Sequence, residues 1–272
     1  MKKYIVIGNP IEHSLSPILH NHWIKINKIP NSIYEKKKIE KKDLEKIIDE
    51  VKKDELKGVN VTVPFKKEIL PFLDELDEIA KKTLSVNTLV KINNKVWGHN
   101  TDVEGFKSSL SWNNFFDYKG KNIFILGAGG ATSSIIYNFI NSANKIYITN
   151  RTKKKAEALK ELYSYSKATI AVIDWGKEPE ICDLVINTTS VGLAKNENLD
   201  LNFKNYENNN KALFYDIIYN PEETNFLKNA RIRGNKTMNG KMMFLHQARI
   251  AFKIWTGIDV DISNETIRLL DQ

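Results

Sequence analysis

Gly127-Ala128-Gly129-Gly130-Ala131 stands between an apolar, β-branched run, Lys121 to Leu126, and a segment carrying Ile135, Ile136, Phe139 and Ile140 on one side. The run reads as a buried parallel strand and the segment as a helix. A second strand, Lys145 to Thr149, follows. Strand, glycine turn, helix and strand form the βαβ unit that holds a dinucleotide pyrophosphate at a helix N-terminus. Glycines suit that place because side chains would keep the backbone N–H groups away from the phosphate. GAGGA departs from the full G-x-G-x-x-G spacing, so the turn alone indicates a nucleotide without saying which. The end of the second strand says more. Units that bind NAD usually place an acidic residue there for the ribose hydroxyls. Here Asn150, Arg151 and Thr152 stand instead, followed by Lys153, Lys154 and Lys155. A cationic, hydroxyl-bearing turn grips a phosphate. With five arginines against thirty-six lysines in the chain, an arginine at this spot favours NADP over NAD.

A second collection of polar residues lies at strand ends in the first hundred positions. Tyr4 to Ile7 is a short buried strand, and Ser14 and Ser16 follow it at the start of a helix carrying Leu19, Trp23 and Ile26. Ser16 before Pro17 reads by itself as an N-cap. Two hydroxyls beside a helix N-terminus also make a carboxylate site. In the strand Gly58 to Val63 the valines alternate with Asn60 and Thr62, which places both polar side chains on one face, as in a pocket wall. Lys66 stands just beyond that strand's C-terminal end, where ligands of open α/β sheets bind. Asp102, after Asn100 and Thr101 at a helix entry, reads by itself as a cap.

The elements that must position these residues follow from periodicity. Ile39 to Lys57 reads as a charged amphipathic helix with Leu44, Ile47, Ile48 and Val51 inward, and Ile69 to Thr83 as an acidic helix. Ser85 to Val90 is a strand, with a hairpin turn at Asn93-Asn94. Beyond Thr152, Ala156 to Tyr163 is helical, Thr169 to Ile173, Asp183 to Thr188 and Ala212 to Tyr215 are strands, and Asn196 to Asn210 is a surface loop. Met243, Gln247, Ile250 and Ile254 share one face of a helix from Lys241 to Trp255, so Gln247 is an amide within an apolar stripe that must find partners. The histidines show no metal spacing, and no metal is expected.

At 272 residues, 42% hydrophobic and 27% charged, the chain suits a soluble protein of one large or two modest domains. The net charge of +8 is a lysine excess spread along the chain, which does not argue for nucleic-acid recognition. Cys182 is the only cysteine, so no intramolecular disulfide forms, in keeping with a reducing cytosol. The start, MKKYIVIGNP, is too short in its apolar run for a signal peptide. No run approaches membrane-spanning length. A cytoplasmic protein with a small-molecule substrate, no nucleic-acid or membrane partner, and a monomeric or homodimeric state is expected.

Taken together, GNPIEHSLSP, NVTVPFK, VNTL, GHNTDVEG, GAGGA, NRTKKKA, NTTSVG, YDIIYNPEET and GKMMFLHQA, in that order over nearly the whole chain, resemble the shikimate dehydrogenase family. The resemblance implies an α/β chain of two domains. Residues 1–103 plus 239–272 would form an α/β substrate-binding catalytic domain to which the C-terminal helices return. Residues 104–238 would form a Rossmann-like, doubly wound NADP domain. It implies NADPH-dependent reduction of 3-dehydroshikimate to shikimate, a reversible step toward chorismate and the aromatic amino acids. Carried over by motif, Lys66 is the catalytic lysine and Asp102 its acidic partner. Ser14 and Ser16 hold the substrate carboxylate. Thr62, Asn87, Tyr219 and Gln247 bind its hydroxyls, with Asn60 close by. Gly127, Ala128, Gly129, Gly130 and Ala131 cradle the pyrophosphate, and Asn150, Arg151, Thr152 and Lys155 take the 2′-phosphate end. Ile217 and Gly240 match positions near the nicotinamide, and Glu78 a cofactor-side position. One departure is Thr132-Ser133-Ser134, where family members often place an arginine. The alternatives are a quinate/shikimate dehydrogenase using NAD and a non-catalytic nucleotide-binding paralogue, against which an intact Lys66 and Asp102 argue.

Overall fold

Short β-branched runs with buried side chains recur along the chain, and in the computed structural model they build two separate sheets. The structure describes residues 1–112, 116–194, 197–199, 201–207 and 212–271. The chain divides into two compact units, Met1–Gly105 with Leu245–Gln272, and Phe106–Phe244. The expected divisions at 103/104 and 238/239 thus compare with 105/106 and 244/245. Each observed division falls inside a helix, α4 (Asp102–Ser111) or α8 (Lys241–Thr256).

In the first unit, β1 (Lys2–Gly8), β2 (Ser32–Lys38), β3 (Gly58–Val61), β4 (Glu75–Leu76), β5 (Thr88–Ile92) and β6 (Lys95–His99) form a mixed sheet in the order β2-β1-β3-β5-β6-β4. The pairs β1 with β2 and β1 with β3 are parallel, while β5 is antiparallel to both β3 and β6. Consequently the C-terminal ends of β1, β3 and β6 and the N-terminal end of β5 lie along one edge. The polar motifs follow or precede those four ends. Helix α1 (Ser16–Ile26), α2 (Leu44–Lys52) and α3 (Glu78–Thr83) join α8 and α9 (Asn264–Arg268) in this unit. Leu44, Ile47, Ile48 and Val51 of α2 are buried against Ile5, Val59, Leu89 and Val96. Trp255 of α8 lies over Gly58, where any Cβ would collide with the indole, and donates its ring N–H to the Leu89 carbonyl at 2.9 Å.

The second unit holds an all-parallel sheet in the order β12-β11-β10-β7-β8-β9. Its strands are β7 (Asn122–Leu126), β8 (Lys145–Thr149), β9 (Thr169–Ile173), β10 (Leu184–Asn187), β11 (Leu213–Asp216) and β12 (Lys236–Met238), with helices α5 (Gly130–Tyr137), α6 (Lys153–Leu162) and α7 (Asn225–Ile232). The chain builds outward from β7 through β8 and β9, then returns to the other side of β7 with β10. Strand order therefore reverses between β7 and β10, the place where open α/β sheets bind ligands. The two-part α/β class read from the sequence is the one observed.

Several elements differ from expectation, each for a tertiary reason. Ile69 to Thr83 is no continuous helix. Pro71 sits in a 3-10 turn, Leu70–Phe72, and the Asp74 carboxylate accepts from the Val96 N–H at 2.8 Å, drawing Glu75–Leu76 into the sheet beside β6. Only Glu78–Thr83 is α-helical, capped by Asp77, which accepts from Ala80 N–H at 2.6 Å. Strand β3 ends at Val61, and Val63 turns outward at 58% exposure instead of continuing the apolar face. Ile26 is likewise exposed. On α8 the fully buried face is Leu245, Ala248, Ala251 and Phe252, while Gln247, Ile250 and Ile254 are half-buried. Strand β12 has no counterpart in the sequence reading. Within the expected surface loop Asn196 to Asn210, Phe203 and Tyr206 are buried against Phe214, whereas 196, 200 and 208–210 lie outside the described residues.

His20 on α1 is stacked on Tyr34 (4.3 Å, 8°) and edge-on to Trp23 (5.5 Å, 88°), and neither ring nitrogen has a partner among the described residues. Burial lowers its pKa to about 3. An unfolded histidine titrates near ~6.5. Between those values the unfolded chain binds the extra proton, so His20 costs stability as pH falls through that window. Denaturant unfolding of His20→Phe is expected to show a shallower acid loss than the parent between pH 6.5 and 4, by up to about 1.4 kcal/mol per pH unit. Parallel slopes for the two proteins would contradict it.

Candidate active site

In the first unit, strand direction brings the polar residues to one edge. Ser14 and Ser16 follow β1. Leu15, not Ser16, occupies the cap position of α1, and no side chain caps the helix. Instead the Ser14 hydroxyl donates to Ser16 Oγ at 3.2 Å and accepts from the Ser16 N–H at 3.3 Å. Capping therefore does not explain Ser16. Thr62 follows β3, its N–H bound to the Ile7 carbonyl at 2.9 Å, and its methyl packs on Gly8, where a Cβ would come within 2.5 Å. Lys66 comes a turn later, pinned by its carbonyl, which accepts the Val86 N–H at 2.9 Å.

Asn87 precedes β5 and is the hub. Its Nδ2 shares its two hydrogens among three acceptors, Thr101 Oγ1 at 2.8 Å, Asp102 Oδ1 at 2.9 Å and Gln247 Oε1 at 3.2 Å. Its Oδ1 accepts the Thr101 N–H at 2.8 Å. Asp102 opens α4 but does not cap it: Asn100 Oδ1 accepts the N–H groups of Asp102 and Val103 at 3.0 and 3.3 Å. The Asp102 carboxylate is thereby left for Lys66, whose Nζ lies 2.5 Å from Oδ2. The side chains of this pair are 12% and 4% exposed. A lysine that clean of solvent is unusual in so lysine-rich a chain. Asn60 is buried one layer back, accepting the Tyr34 hydroxyl at 2.6 Å. Asn100 was legible as part of Asn-Thr-Asp at a helix entry; Tyr34 carried no signal at all.

The second unit carries the nucleotide features. Gly127 has φ +112°, and a Cβ there would come within 2.5 Å of Thr188 Oγ1. Thr188 in turn meets Thr132 Oγ1 at 2.8 Å, and Thr132 holds the Gly129 N–H at 2.9 Å. Ala128 is buried and Gly130 and Ala131 open α5. A Cβ on Gly129 would meet nothing within 4 Å, so open space lies in front of the α5 N-terminus. Asn150 donates to the Thr152 carbonyl at 2.9 Å, while Arg151, Thr152 and Lys155 are exposed. Neither Arg151 nor Lys155 has an ion-pair partner among the described residues, whereas Lys153 is engaged by Asp174 at 2.7 Å. A glycine turn with room before a helix N-terminus, and two unengaged cations after the next strand, fit a dinucleotide carrying a 2′-phosphate. At Ser133 the side chain is fully buried and the backbone carbonyl accepts the Tyr163 hydroxyl at 2.7 Å, so this departure packs inward.

Ile217 and Tyr219 lie on the loop after β11. Burial lifts the pKa of Asp216, at the root of that loop, to about 6, opposed by hydrogen bonds from Thr224, Ile218 N–H and Asn187. A Cβ on Gly240 would collide with the Ile217 carbonyl, and the Gly240 N–H binds Ile218 O at 3.0 Å. Tyr219 stacks on Phe244 at 4.5 Å. Glu78 is exposed at the start of α3, paired with Lys81 at 3.0 Å.

A parallel sheet with a glycine turn at its reversal of strand order in one unit, and a part-buried lysine–aspartate pair held by Asn87 in the other, fit an α/β dehydrogenase. Residues 6–89 match the family model described as the shikimate dehydrogenase substrate binding domain, 109–230 that of shikimate / quinate 5-dehydrogenase, and 243–264 that of the shikimate 5'-dehydrogenase C-terminal domain. The NADP(+) shikimate dehydrogenase of Pelagibacter ubique is 48% identical over 271 residues, covering 99% of each chain. The crystal structure of the Aquifex aeolicus shikimate dehydrogenase superposes with a TM-score of 0.86 at 36% identity, covering 100% of this chain and 96% of that one. That of the Thermus thermophilus enzyme, in complex with NADP(H) and shikimate, does so at 0.83 and 26%, covering 100% and 99%. The chain belongs to the shikimate dehydrogenase family.

The two glycines should separate folding from binding. Gly127→Ala, strained and colliding with Thr188, is expected to cost about 2 kcal/mol or more in thermal unfolding. Gly129→Ala should unfold like the parent yet bind NADPH at least about tenfold more weakly, since its methyl enters the space a phosphate needs. Equal nucleotide affinity for Gly129→Ala and the parent, measured by fluorescence titration, would remove the cradle reading.

Proposed function

We propose that this chain reversibly reduces 3-dehydroshikimate to shikimate with NADPH, a step toward chorismate and the aromatic amino acids. The observation that carries it is the part-buried Lys66–Asp102 pair, 2.5 Å apart, tied through Asp102 and Asn87 to Thr101 and Gln247. The first unit supplies substrate binding and the second NADP binding. Ser14 and Ser16 hold the substrate carboxylate, and Thr62, Asn87, Gln247 and Tyr219 its hydroxyls. Arg151, Thr152, Asn150 and Lys155 take the 2′-phosphate, Gly127 to Ala131 the pyrophosphate, and Ile217, Gly240 and Glu78 line the remaining cofactor contacts. The single cysteine, Cys182, whose thiol burial pushes up to about 12, suits a protein of the reducing cytosol.

NADPH, when bound, supplies the hydride for substrate C3. Left alone, the oxygen at C3 would become an alkoxide, which is costly away from water. The Lys66 ammonium donates its proton to that oxygen, giving the hydroxyl, and neutral Lys66 takes the proton back in the oxidative direction. Asp102 fixes where the ammonium points. Asn87 fixes Asp102, because its Nδ2 binds Oδ1 and leaves Oδ2 for the lysine.

In an absorbance assay at the nicotinamide band, Lys66→Met is expected to lower kcat by about 10²–10⁴-fold with a much smaller change in KM for shikimate. Near-normal turnover would refute the proton-transfer role. Arg151→Ala should raise KM for NADP by roughly 10- to 100-fold and leave that for NAD almost unchanged. Crossing shikimate and quinate with NADP and NAD in the same assay tests the whole reading, which fails if no pair is turned over.

A further inference from the structure

We propose, on the basis of that functional reading, that Tyr34 is a positioning residue for the reaction, acting on Lys66 through Asn60, Asn87 and Asp102. Tyr34 lies in β2 and Asn60 in β3, with β1 between them in the sheet. Its phenol therefore spans a whole strand to reach the amide. The backbone of Tyr34 is fixed on both sides by Asn21, whose Nδ2 donates to the Tyr34 carbonyl at 2.8 Å and whose Oδ1 accepts the Tyr34 N–H at 2.9 Å. Its ring is fixed by the stacked His20. The hydroxyl so placed donates to Asn60 Oδ1 at 2.6 Å.

That bond decides which way round the Asn60 amide stands. Both hydrogens of Nδ2 are taken, by the Asn87 carbonyl at 3.1 Å and Thr88 Oγ1 at 3.2 Å. A flipped amide would set Oδ1 against the Asn87 carbonyl and face its NH2 group toward the phenol. Thr88 Oγ1 donates onward to Asn87 Oδ1 at 3.2 Å. Asn87 then holds Asp102, and Asp102 holds Lys66. Every member from Tyr34 to Asp102 is buried, so no solvent competes for these bonds. The path is continuous from the aromatic cluster to the lysine.

Tyr34→Phe removes the hydroxyl while keeping the stacked ring. Its expected effect is a five- to tenfold fall in kcat for shikimate oxidation, about what one buried hydrogen bond contributes, with KM for NADP unchanged and a displaced pH–rate profile. Tyr4→Phe, in the same aromatic cluster but with no hydrogen bond from its hydroxyl among the described residues, should match the parent in all three. If Tyr34→Phe does not fold, Asn60→Ala gives the same reading. Unchanged kcat and pH profile in the folded variant overturn the proposal. Exchange of the Asn87 side-chain amide, followed by NMR, provides a readout independent of turnover: protection in the parent and its loss in Tyr34→Phe support the role, and equal protection overturns it. A parent inactive on shikimate would sink the functional reading, and the exchange measurement would still decide the role of Tyr34.

Discussion

An ammonium and a carboxylate held together away from water are the constraint on which the first unit depends. Each ion loses several kcal/mol of hydration when buried, and the pair offsets that loss only if the remaining oxygens and hydrogens find partners. At Asp102 those partners are in place: Oδ2 meets Lys66, Oδ1 meets Asn87, and the backbone N–H is taken by Asn100. Three segments distant in sequence must therefore converge within hydrogen-bonding distance. The mixed sheet does this by running β5 against β3 and β6, which puts the end of β3, the start of β5 and the end of β6 side by side. Gln247 joins from α8, held in register by Trp255 over the bare backbone of Gly58.

The second unit solves a different problem with the same architecture. A phosphate needs exposed N–H groups and nearby cations, but little burial. The reversal of strand order between β7 and β10 opens the required crevice. Gly127 and Gly240 let neighbouring loops approach as closely as bare backbone allows, and the buried Asp216 ties Asn187, Ile218 and Thr224 into one support beneath the loop after β11. In the first unit the polar motifs gather where the C-terminal ends of β1, β3 and β6 meet the N-terminal end of β5, and in the second the glycine turn follows the C-terminal end of β7.

Much of this is readable because it is local. Strands β7, β8 and β9 follow from apolar runs, the glycine turn from its composition, and the Asn93-Asn94 hairpin from two residues that accept positive φ, here 50° and 61°. Local rules fail where a distant strand intervenes. Asp74 bonded to Val96 breaks the helix that the 69–83 pattern suggests. The apolar stripe read on α8 is only partly covered, Met243 being buried and Gln247, Ile250 and Ile254 half-buried, because the helix turns the neighbouring face of Leu245, Ala248, Ala251 and Phe252 fully inward. Ser16 and Asp102 read as caps because Ser and Asp at helix entries usually are. Their hydroxyl and carboxylate are aimed elsewhere, and only the folded chain shows the aim.

The sequence by itself determined the two-part α/β class, the glycine turn after β7, the arginine-bearing turn after β8, and the family, since nine short motifs keep their order along the chain. Those are properties of residue type and spacing, which survive without knowing what touches what. Tertiary structure alone decided that Asn87 is the hub, that Asn100 frees Asp102 for Lys66, and that Tyr34 reaches over β1 to Asn60. Hydrogen bonds across 26 or 160 positions leave no periodic trace in a chain. They exist only once the sheet has brought their ends together.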